Sequence, residues 1–223
     1  MNGDREETTA TVVLVHGLWM NGAEMQLLAR RLRQAGYRTL PFRYRTIQAT
    51  VEESSRDLWL FLEEQFGPGM SRVPSAPVHL VCHSLGGSVA LEMLHRHPEA
   101  RIGRMVAMGT PFRGNRAAKK IAQWTLGRMI LGRSLPRALG GGGFTSAPPG
   151  REIGILAGDR SLLGVGRSLW GFGEPNDGNV AVSETHLEGE KEHRTLPVIH
   201  MGLLFSEEAA RMVDHFLQTG SFV

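Results

Sequence analysis

The sequence predicts an α/β fold, a mainly parallel sheet of about six strands with helices on both faces. Three observations carry this expectation. Short apolar runs alternate with amphipathic stretches from about residue 11 to residue 219. Several of the runs end at glycine, or at a polar residue that opens the next helix, which is the pattern of strands joined by crossover helices. The 223 residues suit one domain with no repeat and no long linker, and bury a sizeable core.

The elements follow in order. TVVLVHG (11–17) is apolar and stops at a glycine, so it reads as a buried strand. Residues 21–34 read as a helix capped by Asn21, with Leu27, Leu28 and Leu32 on one face and Gly36 as its stop. YRTLPF (37–42) is a second strand. Residues 52–66 form a helix, with Leu58, Leu62 and Phe66 at helical spacing and Gly67-Pro68 at its end. VHLVC (78–82) is the third strand, followed by a helix over 85–97 closed by Pro98. IGRMVAMG (102–109) and EIGILAG (152–158) are two more strands. TLPVIH (195–200) is the last, before a helix over 207–218.

Residues 113–150 break the alternation. They hold a helical stretch, RAAKKIAQWTLGRMILG, and then RALGGGGFTSAPPG. An insertion this long is functional or a mobile surface loop. Its position after the fourth predicted strand lets it fold as a cap or lid over the carboxyl ends of the sheet, where ligands bind in such folds.

Composition narrows the function. The 25 Lys and Arg against 22 Asp and Glu leave a net charge of +3, too little to imply nucleic acid. The basic cluster Arg113, Arg116, Lys119 and Lys120 reads as a solvated face. One cysteine excludes an internal disulfide and a cysteine-built metal site. The N-terminal MNGDREETTA has no apolar signal core, and no apolar run reaches the roughly 20 residues of a membrane span, so the expected location is cytoplasmic.

Chemistry gathers at the strand ends. Ser84 sits in VCHSLGG, between a strand and a helix. A serine on such a tight turn needs small neighbours, and Gly86 and Gly87 supply them. Its helix directs free N–H groups toward it. As a simple N-cap, Ser84 would leave the double glycine unexplained. His16-Gly17-Leu18 ends the first strand, where glycine lets the Leu18 amide face the cleft. With the Leu85 amide it would form an oxyanion hole. His16 itself reads as structural, and His83 as directed away from Ser84. His200, on the loop after the last strand, suits a general base, with His186 a weaker competitor. Two aspartates fit as the acid between serine and histidine, Asp159 in LAGDRS and Asp177 in EPNDGNVAV.

HGLW near the N-terminus, HSLGG in the middle and a late histidine before the last helix resemble the α/β-hydrolase superfamily, and within it the small bacterial lipases and esterases. The resemblance implies a Ser84–His200–acid triad and an oxyanion hole from Leu18 and Leu85. PNDGNVAV is similar to the segment that carries the acid in several lipases, which favours Asp177 over Asp159. Two departures stand out. Cys82 occupies the position of the usual first glycine, and nothing matches the calcium ligands of the larger bacterial lipases, so no metal and no cofactor are expected.

The resulting expectation is a serine carboxylic-ester hydrolase working through an acyl-enzyme. Trp19, Met20, Phe112 and Trp124 are the expected substrate-binding residues, for a small-molecule or lipid-like ester. The insertion is an expected point of transient membrane-surface contact. The same triad would equally serve an acyltransferase, a thioesterase or an amidase, and a non-catalytic ligand- or partner-binding relative is the alternative of another class.

Overall fold

The computed structural model describes residues 9–72, 76–134 and 145–223. Six strands form one parallel sheet in the order β2-β1-β3-β4-β5-β6. They are β1 (Thr11–Val15), β2 (Arg38–Phe42), β3 (Val78–His83), β4 (Ile102–Met108), β5 (Glu152–Gly158) and β6 (Glu192–Leu196). The longer helices are α1 (Gln26–Gln34), α2 (Val51–Phe66) and α3 (Leu85–Arg96). Two short ones, α4 (Arg116–Ile121) and α5 (Thr125–Leu131), follow β4. Then come α6 (Val165–Trp170), α7 (Val182–Thr185), α8 (Gly202–Phe205) and the terminal α9 (Glu207–Thr219).

Strand alternation divides the core in two. Val13 and Val15 of β1, with Leu80 and Cys82 of β3, pack beneath α2 and α3. Val12, Leu14 and Val81 face the other way and meet Leu28 and Leu32 of α1 and Val213 and Phe216 of α9. Side chains on a strand alternate between faces, so a sheet buried on both must be apolar throughout. That is why these strands read as continuous apolar runs rather than as alternating ones.

Two boundaries and one buried face differ from the sequence expectation. The last strand runs over Glu192–Leu196 and not to residue 200, because Pro197 has no amide to continue the ladder. His200 therefore lies on a loop four residues beyond the sheet. Asn21 accepts from the Ala23 amide at 3.0 Å, and a short 3₁₀ turn, Ala23–Met25, precedes α1. Leu27 is 38% exposed, and Ala29 joins Leu28 and Leu32 on the buried face. The glycine run at 140–143 lies outside the described residues. No helix among the described residues is long and apolar enough to cross a membrane.

One buried titratable group sets an acid limit on the fold. His79, in β3, accepts the Arg104 amide on Nδ1 at 2.9 Å. Burial, helped by the Arg104 charge, lowers its pKa to about 4. Unfolding returns it to an ordinary value of about 6.5, so the unfolded chain binds more protons between these two pH values. His79 therefore contributes stability that is complete above about pH 6.5 and is lost as the pH falls toward 4. Urea unfolding across this window should show a His79 share of about 1.4 kcal/mol per pH unit, and His79→Gln should remove that share of the slope. An unchanged slope would contradict it.

Candidate active site

The carboxyl ends of the strands bring Ser84, His200 and Asp177 to one region. The turn after β3 holds Ser84 at φ 51°, ψ −123°, a conformation unusual for a residue with a side chain. Local bonds hold it there. The Ser84 amide donates to the Met108 carbonyl at 2.9 Å, and its carbonyl accepts from the Thr110 hydroxyl at 2.8 Å and the Gly87 amide at 3.0 Å. The crowding that follows explains the double glycine. A Cβ on Gly86 would lie 2.3 Å from the Val15 carbonyl oxygen, and one on Gly87 would lie 2.1 Å from the Thr110 hydroxyl. The Ser84 side chain makes no capping hydrogen bond to α3, so the N-cap role is not one it fills. Its residue is half-buried.

Cys82 lies wholly in the core beneath α3. Burial pushes its thiol far above the ordinary range, so it stays protonated. Here a small apolar residue fills the position expected to be glycine. Cys82→Gly should leave turnover within a few fold while lowering stability by about 1–2 kcal/mol, through the space left behind and the freer unfolded chain. Ester turnover and urea unfolding on the same preparation check both halves.

The acid–imidazole pair is well defined. Nδ1–H of His200 donates to Asp177 Oδ2 at 2.6 Å, and both side chains are buried. The other carboxylate oxygen of Asp177 accepts from the Asn179 amide at 2.9 Å and the Val180 amide at 2.7 Å. The backbone closes the same unit, for the His200 amide donates to the Asp177 carbonyl at 2.9 Å. A histidine held through Nδ1–H leaves Nε2 as a proton acceptor. Asp159, the other expected acid, follows β5, which ends at Gly158. It lies 3.7 Å from Arg160 and lines a separate cavity with Ser161 and Asn176. His186 is turned to Glu190, 2.7 Å away.

A cavity of about 300 Å³ joins these groups. Ser84 and His200 both line it, together with Leu18, Trp19 and Met20 after β1 and Pro111 after β4. The Leu18 and Leu85 amides have no backbone or side-chain acceptor among the described residues, which leaves both free to donate. Two of the expected substrate-binding residues, Trp19 and Met20, are thus at the cavity. The other two are not. Phe112 is 3% exposed and packs in the core, because the chain turns at Pro111 and directs the next side chain inward. Trp124 stands on the outer surface beside a second cavity.

Several residues enter the site without having been foreseen. Asn115 caps α4, accepting from the Ala118 amide at 2.6 Å, and donates to the Asn179 carbonyl at 2.8 Å. It ties the insertion to the Asp177 loop; an asparagine just before RAAKKI was the available signal. Gly109, at the end of β4, lies against the His200 ring, where a Cβ would stand 3.0 Å from Nδ1. His83 is buried with its ring 4.7 Å from that of His200, and its Nε2–H donates to the His200 carbonyl at 3.2 Å. Burial holds His83 neutral, its pKa well below the ordinary value. His16, also lowered by burial, donates through Nδ1 to the Gly17 carbonyl at 3.1 Å and stacks on Tyr44. No group of three or more His, Cys, Asp or Glu among the described residues is placed to hold a metal ion.

Residues 12–211 match the model of a family described as the alpha/beta hydrolase family. The chain belongs to the alpha/beta hydrolase family. No curated protein matches it in sequence. Among solved structures it is similar to the mature form of a lipase from Bacillus licheniformis, with a TM-score of 0.73 and 18% identity, over 96% of this chain and 93% of that one. A phospholipase from Legionella pneumophila gives 0.71 and 15%, over 96% of this chain but 60% of that one. A carboxylesterase from Bacillus subtilis gives 0.56 and 14%, over 96% and 85%. Identities this low show a shared fold alone.

Proposed function

We propose that this alpha/beta hydrolase family member is a serine carboxylic-ester hydrolase acting on hydrophobic acyl esters. The observation that carries the proposal is the Asp177–His200 hydrogen bond at the rim of a cavity that Ser84 also lines. His200 Nε2 takes the Ser84 proton as Oγ bonds to the acyl carbon. The Leu18 and Leu85 amides hold the oxyanion. The tetrahedral intermediate expels the alkoxide, which receives the proton from His200. A water then gives its proton to His200 as its oxygen attacks the acyl-enzyme, and collapse returns the proton to Ser84 Oγ and frees the acid. Asp177 keeps the imidazole in the required tautomer and stabilises its charged form.

The cavity wall supports an apolar acyl group. Leu18, Met20, Ala117, Ala118, Ile121 and Leu131 line it beside the polar pair Asn115 and Asn179. Apolar walls with a few polar groups bind by burial and orient by hydrogen bonds. A p-nitrophenyl ester panel tests this. kcat/KM should rise from acetate into medium chains; activity confined to acetate would remove the hydrophobic-acyl element. Fluorophosphonate labelling of the folded wild type tests the nucleophile, and its absence would favour a non-catalytic relative.

A further inference from the structure

The insertion and the residues that flank it carry a charge asymmetry hidden by the modest overall charge. Ten of the 25 Lys and Arg, and none of the 22 Asp and Glu, fall within residues 100–151. That stretch therefore carries +10 and the remainder −7. Some of these cations are neutralised in place. Arg104 pairs with Glu152, Arg116 with Glu174 and Glu184, and Arg133 with Glu53. Lys119, Lys120 and Arg128 are exposed on α4 and α5 and pair with no carboxylate among the described residues.

Between these cations the surface is apolar. Helix α5 turns Gly127 and Leu131 inward and presents Leu126, Met129 and Ile130 outward, 66%, 70% and 46% exposed. Trp124 beside it is 74% exposed. A solvated helix would put its charged residues on that face. Contiguous apolar surface rimmed by cations marks an interaction site rather than ordinary surface. A groove of about 560 Å³ runs among Trp124, Leu126, Ile130 and Leu169. Ile121 and Trp170 line both this groove and the cavity of Ser84.

We infer that the α4–α5 face docks on an anionic lipid surface. The cations attract it, the apolar side chains enter the headgroup boundary, and the negative remainder of the chain orients the approach. The shared wall at Ile121 and Trp170 gives an acyl chain an apolar route from the surface to Ser84. That route deepens the ester-hydrolase proposal and rests on it, whereas the docking does not. A protein partner would need no such continuity with the inner cavity.

Sedimentation with vesicles tests the docking, using full-length Ser84→Ala so that turnover plays no part. Mixed phosphatidylglycerol–phosphatidylcholine vesicles should bind the chain at least about 25-fold more tightly than phosphatidylcholine alone, and the difference should collapse between about 0.15 M and about 1 M salt, where the screening length falls from about 8 to 3 Å. Each cation near such a surface is worth about fivefold, so Lys119→Gln with Lys120→Gln should weaken binding about 25-fold. Trp124→Ala should weaken it too. Unfolding midpoints equal to that of the parent confirm that the variants fold. Equal binding to both vesicle types, no binding to either, or indifference to the double substitution would overturn the inference, and an acidic protein partner would then be the better reading of this face. Vesicle binding without ester turnover in the Ser84 protein would retain the docking and reject the route.

Discussion

Ser84→Ala is expected to lower ester turnover by about 10⁶, the loss seen when the nucleophile of an acting triad is removed, and to abolish fluorophosphonate labelling. Ser84→Gly should lose as much and also change stability. The native Ser84 backbone, at φ 51° and ψ −123°, is held by bonds to Met108, Thr110 and Gly87 that do not depend on its side chain. Strain of this kind costs on the order of 1–3 kcal/mol and glycine escapes most of it. Glycine also loosens the unfolded chain by about 0.5–1 kcal/mol, which offsets part of the gain. The net expectation is a variant about 1 kcal/mol more stable than wild type and inactive. Thermal or urea unfolding reads this directly, and a Ser84→Gly protein that unfolds more easily than wild type would show that the strain is not held at this turn.

Asp177→Asn is expected to lower kcat by about 10³–10⁴ with little change in stability. Asparagine keeps an oxygen to accept from the Asn179 and Val180 amides, so the loop retains its closure. Its amide nitrogen then faces His200 Nδ1 and donates to it, which moves the imidazole proton to Nε2. That nitrogen can no longer take a proton from serine. Asp159→Asn should leave kcat within about twofold, since Asp159 lines another cavity. Kinetics of the two variants side by side decide the matter. A crippled Asp159→Asn with an active Asp177→Asn would overturn the assignment of the acid.

The strand ends were the most legible part of this chain. TVVLVHG, VHLVCHSLGG and LPVIH each join an apolar run to a small or polar turn, and a parallel sheet collects such turns on one edge. The acid was less legible because Asp159 and Asp177 both follow apolar or turn signals. Only the third dimension brings one of them within 2.6 Å of His200. Phe112 and Trp124 stand away from the Ser84 cavity for different reasons. One residue of offset at Pro111 sends Phe112 into the core. The break between α4 and α5 turns Trp124 away from the cavity, and periodicity cannot locate such a break when apolar residues surround it. The cations of 113–120 read as a solvated face while counted over the whole chain; their significance depends on the missing carboxylates of residues 100–151.

Cys82 has a consequence unrelated to turnover. It is the only cysteine in the chain and has no exposed surface. Its thiol sits at the middle of the sheet, between β1 and β4, so a reagent reaches it only when that region opens. Alkylation in mild denaturant therefore follows opening of the central strands, whereas proteolysis follows the loops. With a slow reagent the labelling rate gives the free energy of opening, and with a fast one it gives the opening rate itself. The chain thus carries a single-site chemical probe of its own core, with no engineering needed.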